Sequence, residues 1–115
     1  MNDRLTLLQR EGESYEKHEE TPTVSFVSAN ECLTLPYIHL QWMRRDPNGG
    51  QIHLQIDAFR IILHGERLHA LWRDLQLYRV RQIHETDDHE TETRHPTVRR
   101  IEIIKPDDPA DDNTE

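Results

Sequence analysis

Only one cysteine, Cys32, occurs among the 115 residues. An internal disulfide framework is therefore excluded, and the cytoplasm is the expected compartment. Glycine is scarce, at four residues, and none of them builds a Gly-rich phosphate loop or a Gly-x-Ser-x-Gly elbow. Cys32 lies in or beside a strand-like run with no neighbouring base to activate it, so it reads as a structural or edge cysteine. These absences lead us to expect a non-enzymatic protein with no catalytic residues and no cofactor. No run approaches the ~20 apolar residues of a membrane helix, and no apolar segment follows a basic start. We expect neither a membrane span nor a secretory signal.

Hydrophobic residues make up 34% of the chain, which is low for a sequence that folds throughout. The shortfall is uneven. Residues 1–22 are acidic and poor in apolar side chains, and they read as a disordered segment. Residues 105–115 read as a second disordered acidic tail, with five acids and no base from Pro106 onward. Between them, residues 23–104 form the expected single domain. The formal charge of −8 belongs to the ends and to an acidic loop at 85–94. Residues 23–84 instead carry seven bases (Arg44, Arg45, Arg60, Arg67, Arg73, Arg79, Arg81) against five acids (Glu31, Asp46, Asp57, Glu66, Asp74), a balance of +2.

What is present is a meander from Ile38 to His64. Pro47, Asn48 and Gly49 have the conformations that a three-residue hairpin loop with a bulge demands. That loop pairs Asp46 with Gly50, and by extension Arg44 with Ile52, Trp42 with Leu54, and Leu40 with Ile56. The apolar parity then flips, from Ile52, Leu54 and Ile56 to Phe59, Ile61 and Leu63. A two-residue turn at Asp57-Ala58 accounts for the flip by pairing Ile56 with Phe59, with the strain expected at Ala58 because a primed turn prefers glycine there. A bulge in one bent strand is the competing reading.

Around the meander, Thr23–Ser28 reads as a strand, and Cys32–Pro36 leads into it. Leu33 and Leu35 are out of phase with Ile38 and Leu40, so Pro36 marks a bulge or an edge. Leu68, Leu71, Trp72 and Leu75 fall at i, i+3, i+4 and i+7 and predict an amphipathic helix over 66–78. The expected strands are 23–29, 32–44, 50–56, 59–64, 79–84 and 97–104. The fold class is α+β, an antiparallel meander sheet of five or six strands packed on one amphipathic helix.

In that register one face of the sheet carries Leu40, Trp42, Ile52, Leu54, Ile56, Phe59, Ile61 and Leu63 and makes the core. The other carries Met43, His53 and Ile62 as its centre row, ringed by Gln41, Gln51, Gln55 and Arg60, and is free of carboxylates. Met and Arg with little Lys or Glu suit a protein interface. We therefore expect a small protein-interaction domain, self-associating as a homodimer through Met43, His53, Ile62, Gln41, Gln55 and Arg60. The alternative is nucleic-acid binding by the same His/Arg/Gln face. The stacking aromatics it would need are missing in this register, where Tyr37 alone is near the outer surface. His39 and His53 share the face without converging ligands, and the spacing in 84–95, rich in His and acids, fits neither a zinc site nor an EF-hand. No metal is expected, and no small-molecule substrate.

Overall fold

The computed structural model describes residues 15–17, 19–86 and 96–106. The expectations for 1–14, for most of the 84–95 loop and for the tail after Pro106 lie outside the described residues. Among those described are eight strands: β1 Tyr15–Lys17, β2 Thr23–Val27, β3 Cys32–Pro36, β4 Leu40–Arg45, β5 Gln51–Ile56, β6 Phe59–Glu66, β7 Val80–His84 and β8 Thr97–Ile104. A 3-10 turn covers Tyr37–His39, and the helix α1 covers His69–Gln76. The protein is α+β, mostly strand with one helix.

The strands form two four-stranded sheets, β1-β7-β2-β3 and β4-β5-β6-β8. This corrects the expectation of one sheet of five or six strands. The second sheet is antiparallel throughout. In the first, β7 runs antiparallel to β1 but parallel to β2. The cause of the division is local: the run expected as one strand over 32–44 breaks at Pro36 and the Tyr37–His39 turn, which sends β3 to one sheet and β4 to the other. Proline has no N–H to continue the ladder, and the parity change across it already separated Leu35 from Leu40.

Tyr37 fastens this turn and is itself buried, so its expected place near the outer surface is also corrected. Its hydroxyl donates to the Val80 carbonyl at 2.6 Å, and its ring stacks on Tyr78 at 4.5 Å. Burial pushes the pKa of the Tyr37 hydroxyl above its ordinary value. The neighbouring Ile38 is 81% exposed.

One apolar core joins the two sheets. Val24, Phe26, Val80 and Ile83 come from the first, Ile52, Leu54, Ile56, Ile61, Leu63 and Val98 from the second, and Leu68, Leu71 and Leu75 from α1 and its N-cap. Each such large side chain contributes about 1.5–3 kcal/mol by leaving water. The helical stripe is as expected, although α1 is shorter than 66–78, because Arg67 and Tyr78 take left-handed φ values of 55° and 58° at either side of it.

The folded region begins earlier than residue 23. Tyr15 of β1 is buried, and its hydroxyl donates to the Asp74 carboxylate in α1 at 2.9 Å. At the other end β8 pairs with β6, and the ladder slips by one place between His64 and Gly65. A Cβ at Gly65 would run into the Thr97 carbonyl, so only glycine admits this close approach.

Candidate interaction face

The candidate face is the outer side of β4-β5-β6-β8, and its composition is decided by two irregularities in β4. The loop between β4 and β5 is one residue longer than expected. Asp46 donates its N–H to the Gln51 carbonyl at 3.1 Å, and Gly49 donates to the Asp46 carbonyl at 3.1 Å, so Pro47–Gly50 form a four-residue loop. The register accordingly pairs Arg45 with Ile52, Arg44 with His53, Met43 with Leu54 and Trp42 with Gln55. A bulge between Leu40 and Trp42 then restores the expected pair Leu40–Ile56.

A one-place slip moves every side chain to the opposite face. Met43, expected at the centre of the outer face, packs against the core beside Leu54. Trp42, expected in the core, lies opposite Gln55 and is 39% exposed. Arg44 moves outward with it. Arg45 places its guanidinium 5.5 Å from the Trp72 ring.

The β5-β6 hairpin is as expected: Ile56 pairs with Phe59, Leu54 with Ile61 and Ile52 with Leu63. The left-handed residue of its turn is Asp57, with φ 60°, while Ala58 keeps an ordinary φ. The strain thus falls on a residue type that tolerates it, the arrangement of a turn with positive φ at its first central position only. The Asp57 carbonyl also accepts from the side-chain amides of Gln41 at 3.3 Å and Gln55 at 3.2 Å. Its carboxylate meets His39 Nδ1 at 2.9 Å. Gln41 and Gln55 are therefore held at one end of the face.

Two rows describe the rest. Trp42, Gln55, Arg60 and Ile104 form one, and Arg44, His53, Ile62 and Glu102 the next. Arg60 reaches across Gln55 to set its guanidinium carbon 5.7 Å from the Trp42 ring centroid, and Arg44 sets its own at 5.9 Å. Both are within cation–π range. Beside Arg60 lies a depression lined by Gln55, Ala58, Ile104, Lys105 and Pro106.

His53 sits between the two arginines. Its Nε2 meets Gln51 Oε1 at 3.0 Å, while Nδ1 is shut off from solvent without a hydrogen-bond partner. Burial, followed by the charges of Arg44 and Arg60, holds the imidazole below its ordinary pKa.

The freedom from carboxylates does not extend across the sheet. Glu102, contributed by β8, meets His64 Nε2 at 2.9 Å and Arg100 at 3.5 Å. The unneutralised end of the face is the Trp42 end: among the described residues Arg44 and Arg60 enter no ion pair, and both guanidiniums face the indole.

Of the expected residues, the structure thus brings Gln41, Gln55, Arg60, His53 and Ile62 to this face and removes Met43. Sequence reasoning missed Trp42 and Arg44. The signal lay in Gly49-Gly50: a four-residue loop ending on Gly50 reverses the parity of β4 at once.

Cys32 is exposed at the start of the edge strand β3. No helix among the described residues is long and apolar enough to cross a membrane. Comparisons with protein-family models, with curated proteins and with solved structures find no match to this chain.

Proposed function

We propose that this protein is a non-enzymatic binding module whose working surface is the outer face of β4-β5-β6-β8, with Trp42 as the anchor. The observation that carries the reading is the outward Trp42 beside Arg44 and Arg60. Tryptophan and arginine are the side chains that most often dominate binding energy at an interface. A partly exposed indole with two guanidiniums in cation–π range of its ring is restrained by them and loses less rotamer entropy on contact.

The two-fold homodimer expected from the sequence is the weaker form of this reading. Face-to-face pairing would set Arg44 and Arg60 near their own copies, and Glu102 is already engaged by His64 and Arg100. Like charges brought together at an interface cost several kcal/mol. The partner this face complements is anionic.

Photocross-linking in cells tests the surface without presupposing its partner. A photoreactive side chain at Gln55 yields one discrete adduct, which Trp42→Ala removes. The same probe at Arg81, exposed on the other sheet, yields none. Equal adducts from both positions, or none from Gln55, would overturn the assignment of this face. Nuclease and protease sensitivity of the adduct report the partner's class.

A further inference from the structure

Resting on that reading of the face, we infer that its partner is single-stranded nucleic acid, stacked on Trp42 and held through its phosphates by Arg44 and Arg60. The absence of an outward aromatic was the chief objection to this partner in the register read from sequence. The four-residue Pro47–Gly50 loop, which sets Trp42 opposite Gln55 and so turns it outward, removes that objection.

Three features of the Trp42 end fit the chemistry together. The indole is exposed on the outer face of an antiparallel sheet, which is how sequence-tolerant single-strand binders offer a stacking platform. Two guanidiniums without carboxylate partners among the described residues stand within 6 Å of that ring, where they can take phosphate oxygens through forked hydrogen bonds. The amides of Gln41 and Gln55, which donate to the Asp57 carbonyl, and of Gln51, which meets His53, lie along the same face, and their remaining donors and acceptors suit the base edges of a splayed strand.

A carboxylate-bearing peptide would draw the guanidiniums off the indole and offer the ring no planar partner in their place. A nucleotide supplies an anion and a planar ring together. Duplex is a poorer fit, because its bases are not free to stack on a side chain. Arg44 lies with His53 in the row beside Trp42, where a backbone leaving the stacked base would run. Glu102, Arg100 and His64 neutralise one another at the far side of the sheet, which confines the site to β4, β5 and the start of β6.

The test uses the full chain and three fluorescein-labelled probes: an oligothymidylate of about 12 nucleotides, matched to the usual site size of such folds, its duplex with oligoadenylate, and a poly-glutamate peptide. Fluorescence anisotropy is expected to give a dissociation constant of about 1–100 µM for the oligothymidylate near physiological salt, with weaker binding to the duplex and to the peptide. Trp42→Ala weakens the oligothymidylate by about 5- to 100-fold. Arg60→Glu weakens it and lowers the salt slope by at least about one. Arg81→Glu, on the other sheet, leaves both unchanged. In a Trp72→Phe background the oligonucleotide quenches Trp42 emission, a readout that also serves if a charge variant folds poorly.

Equal binding of single strand and duplex, indifferent to Trp42→Ala, would overturn the inference. Trp42-dependent binding of poly-glutamate without the oligonucleotide would overturn it too, while leaving the binding-module reading in place. Binding of none of the three would overturn the inference as well, and the cross-linking at Gln55 would then decide the binding-module reading separately.

Discussion

Trp42 lies opposite Gln55 on the neighbouring strand, one place from Leu54, and that offset alone puts an indole on the outer face and a thioether in the core. Stability separates the two registers. Trp42→Ala removes a side chain from the surface and is expected to cost less than about 1 kcal/mol. Met43→Ala opens space beside Leu54 and is expected to cost about 2 kcal/mol, the low end for Met→Ala because Met43 is only partly buried. Urea denaturation of both variants checks the order. A Trp42→Ala cost well above that of Met43→Ala would restore the register read from sequence.

Tyr15 and Asp74 are 59 positions apart and joined by a 2.9 Å hydrogen bond in a buried setting. Tyr15→Phe keeps the ring and deletes the hydroxyl, so it is expected to destabilise by about 1–3 kcal/mol. Chemical denaturation measures this on the full chain. An unchanged midpoint would mean that β1 does not dock on the rest of the fold in solution.

Gly65 admits the close approach of β8 to β6, and any Cβ there meets the Thr97 carbonyl. Gly65→Ala should cost about 1–3 kcal/mol or more, since backbone and not a yielding side chain is in the way. Gly49→Ala meets the His69 ring, a side chain that can move, but places alanine at φ 78°. Its expected cost is about 1 kcal/mol. Thermal melts that rank Gly49→Ala as the more damaging would contradict the β6–β8 register.

The lowered pKa of His53 makes a stability prediction with a definite sign. Burial and the charges of Arg44 and Arg60 disfavour the imidazolium in the folded state, so the unfolded chain takes up its proton first. The stability tied to the neutral ring is fully present above the ordinary histidine value near 6.5 and is lost as pH falls through the lower, folded value. Asp46 opposes the shift and His64 adds to it. His53→Gln should therefore lose less stability than the parent between neutral and mildly acidic pH. Parallel curves for the two proteins would mean that folding does not disfavour the imidazolium at this position.

The sequence carried the elements better than their assembly. The 23–27, 51–56, 80–84 and 97–104 strands, the Leu68–Leu71–Leu75 stripe and the Asp57-Ala58 hairpin follow from side-chain period and turn chemistry, which are local. The division into two sheets does not, because the parallel pairing of β7 with β2 joins residues about 57 positions apart and leaves no mark on either strand alone. β1 was hidden for a related reason: Tyr15 is a lone apolar residue among charges, and its partner Asp74 lies in α1.

The candidate face was half legible. Gln41, Gln55, His53, Arg60 and Ile62 were placed on it by alternation. Trp42 and Met43 were exchanged because parity in β4 depends on one residue in the Pro47–Gly50 loop, and the bulge after Leu40 conceals that dependence by restoring Leu40–Ile56. A bulge is invisible to a reading that takes alternation as unbroken. Here it sits at the residue on which the functional reading turns.

The most direct test is the fluorescence of Trp42 alone, in the full chain carrying Trp72→Phe. The expected result is the red-shifted emission of a water-exposed indole, with an iodide-to-caesium quenching ratio above that of free N-acetyltryptophanamide because Arg44 and Arg60 attract the anion. A blue-shifted emission indifferent to both ions would place Trp42 in the core, and a quenching ratio at or below that of the free compound would deny the influence of Arg44 and Arg60; either result contradicts this reading of the face.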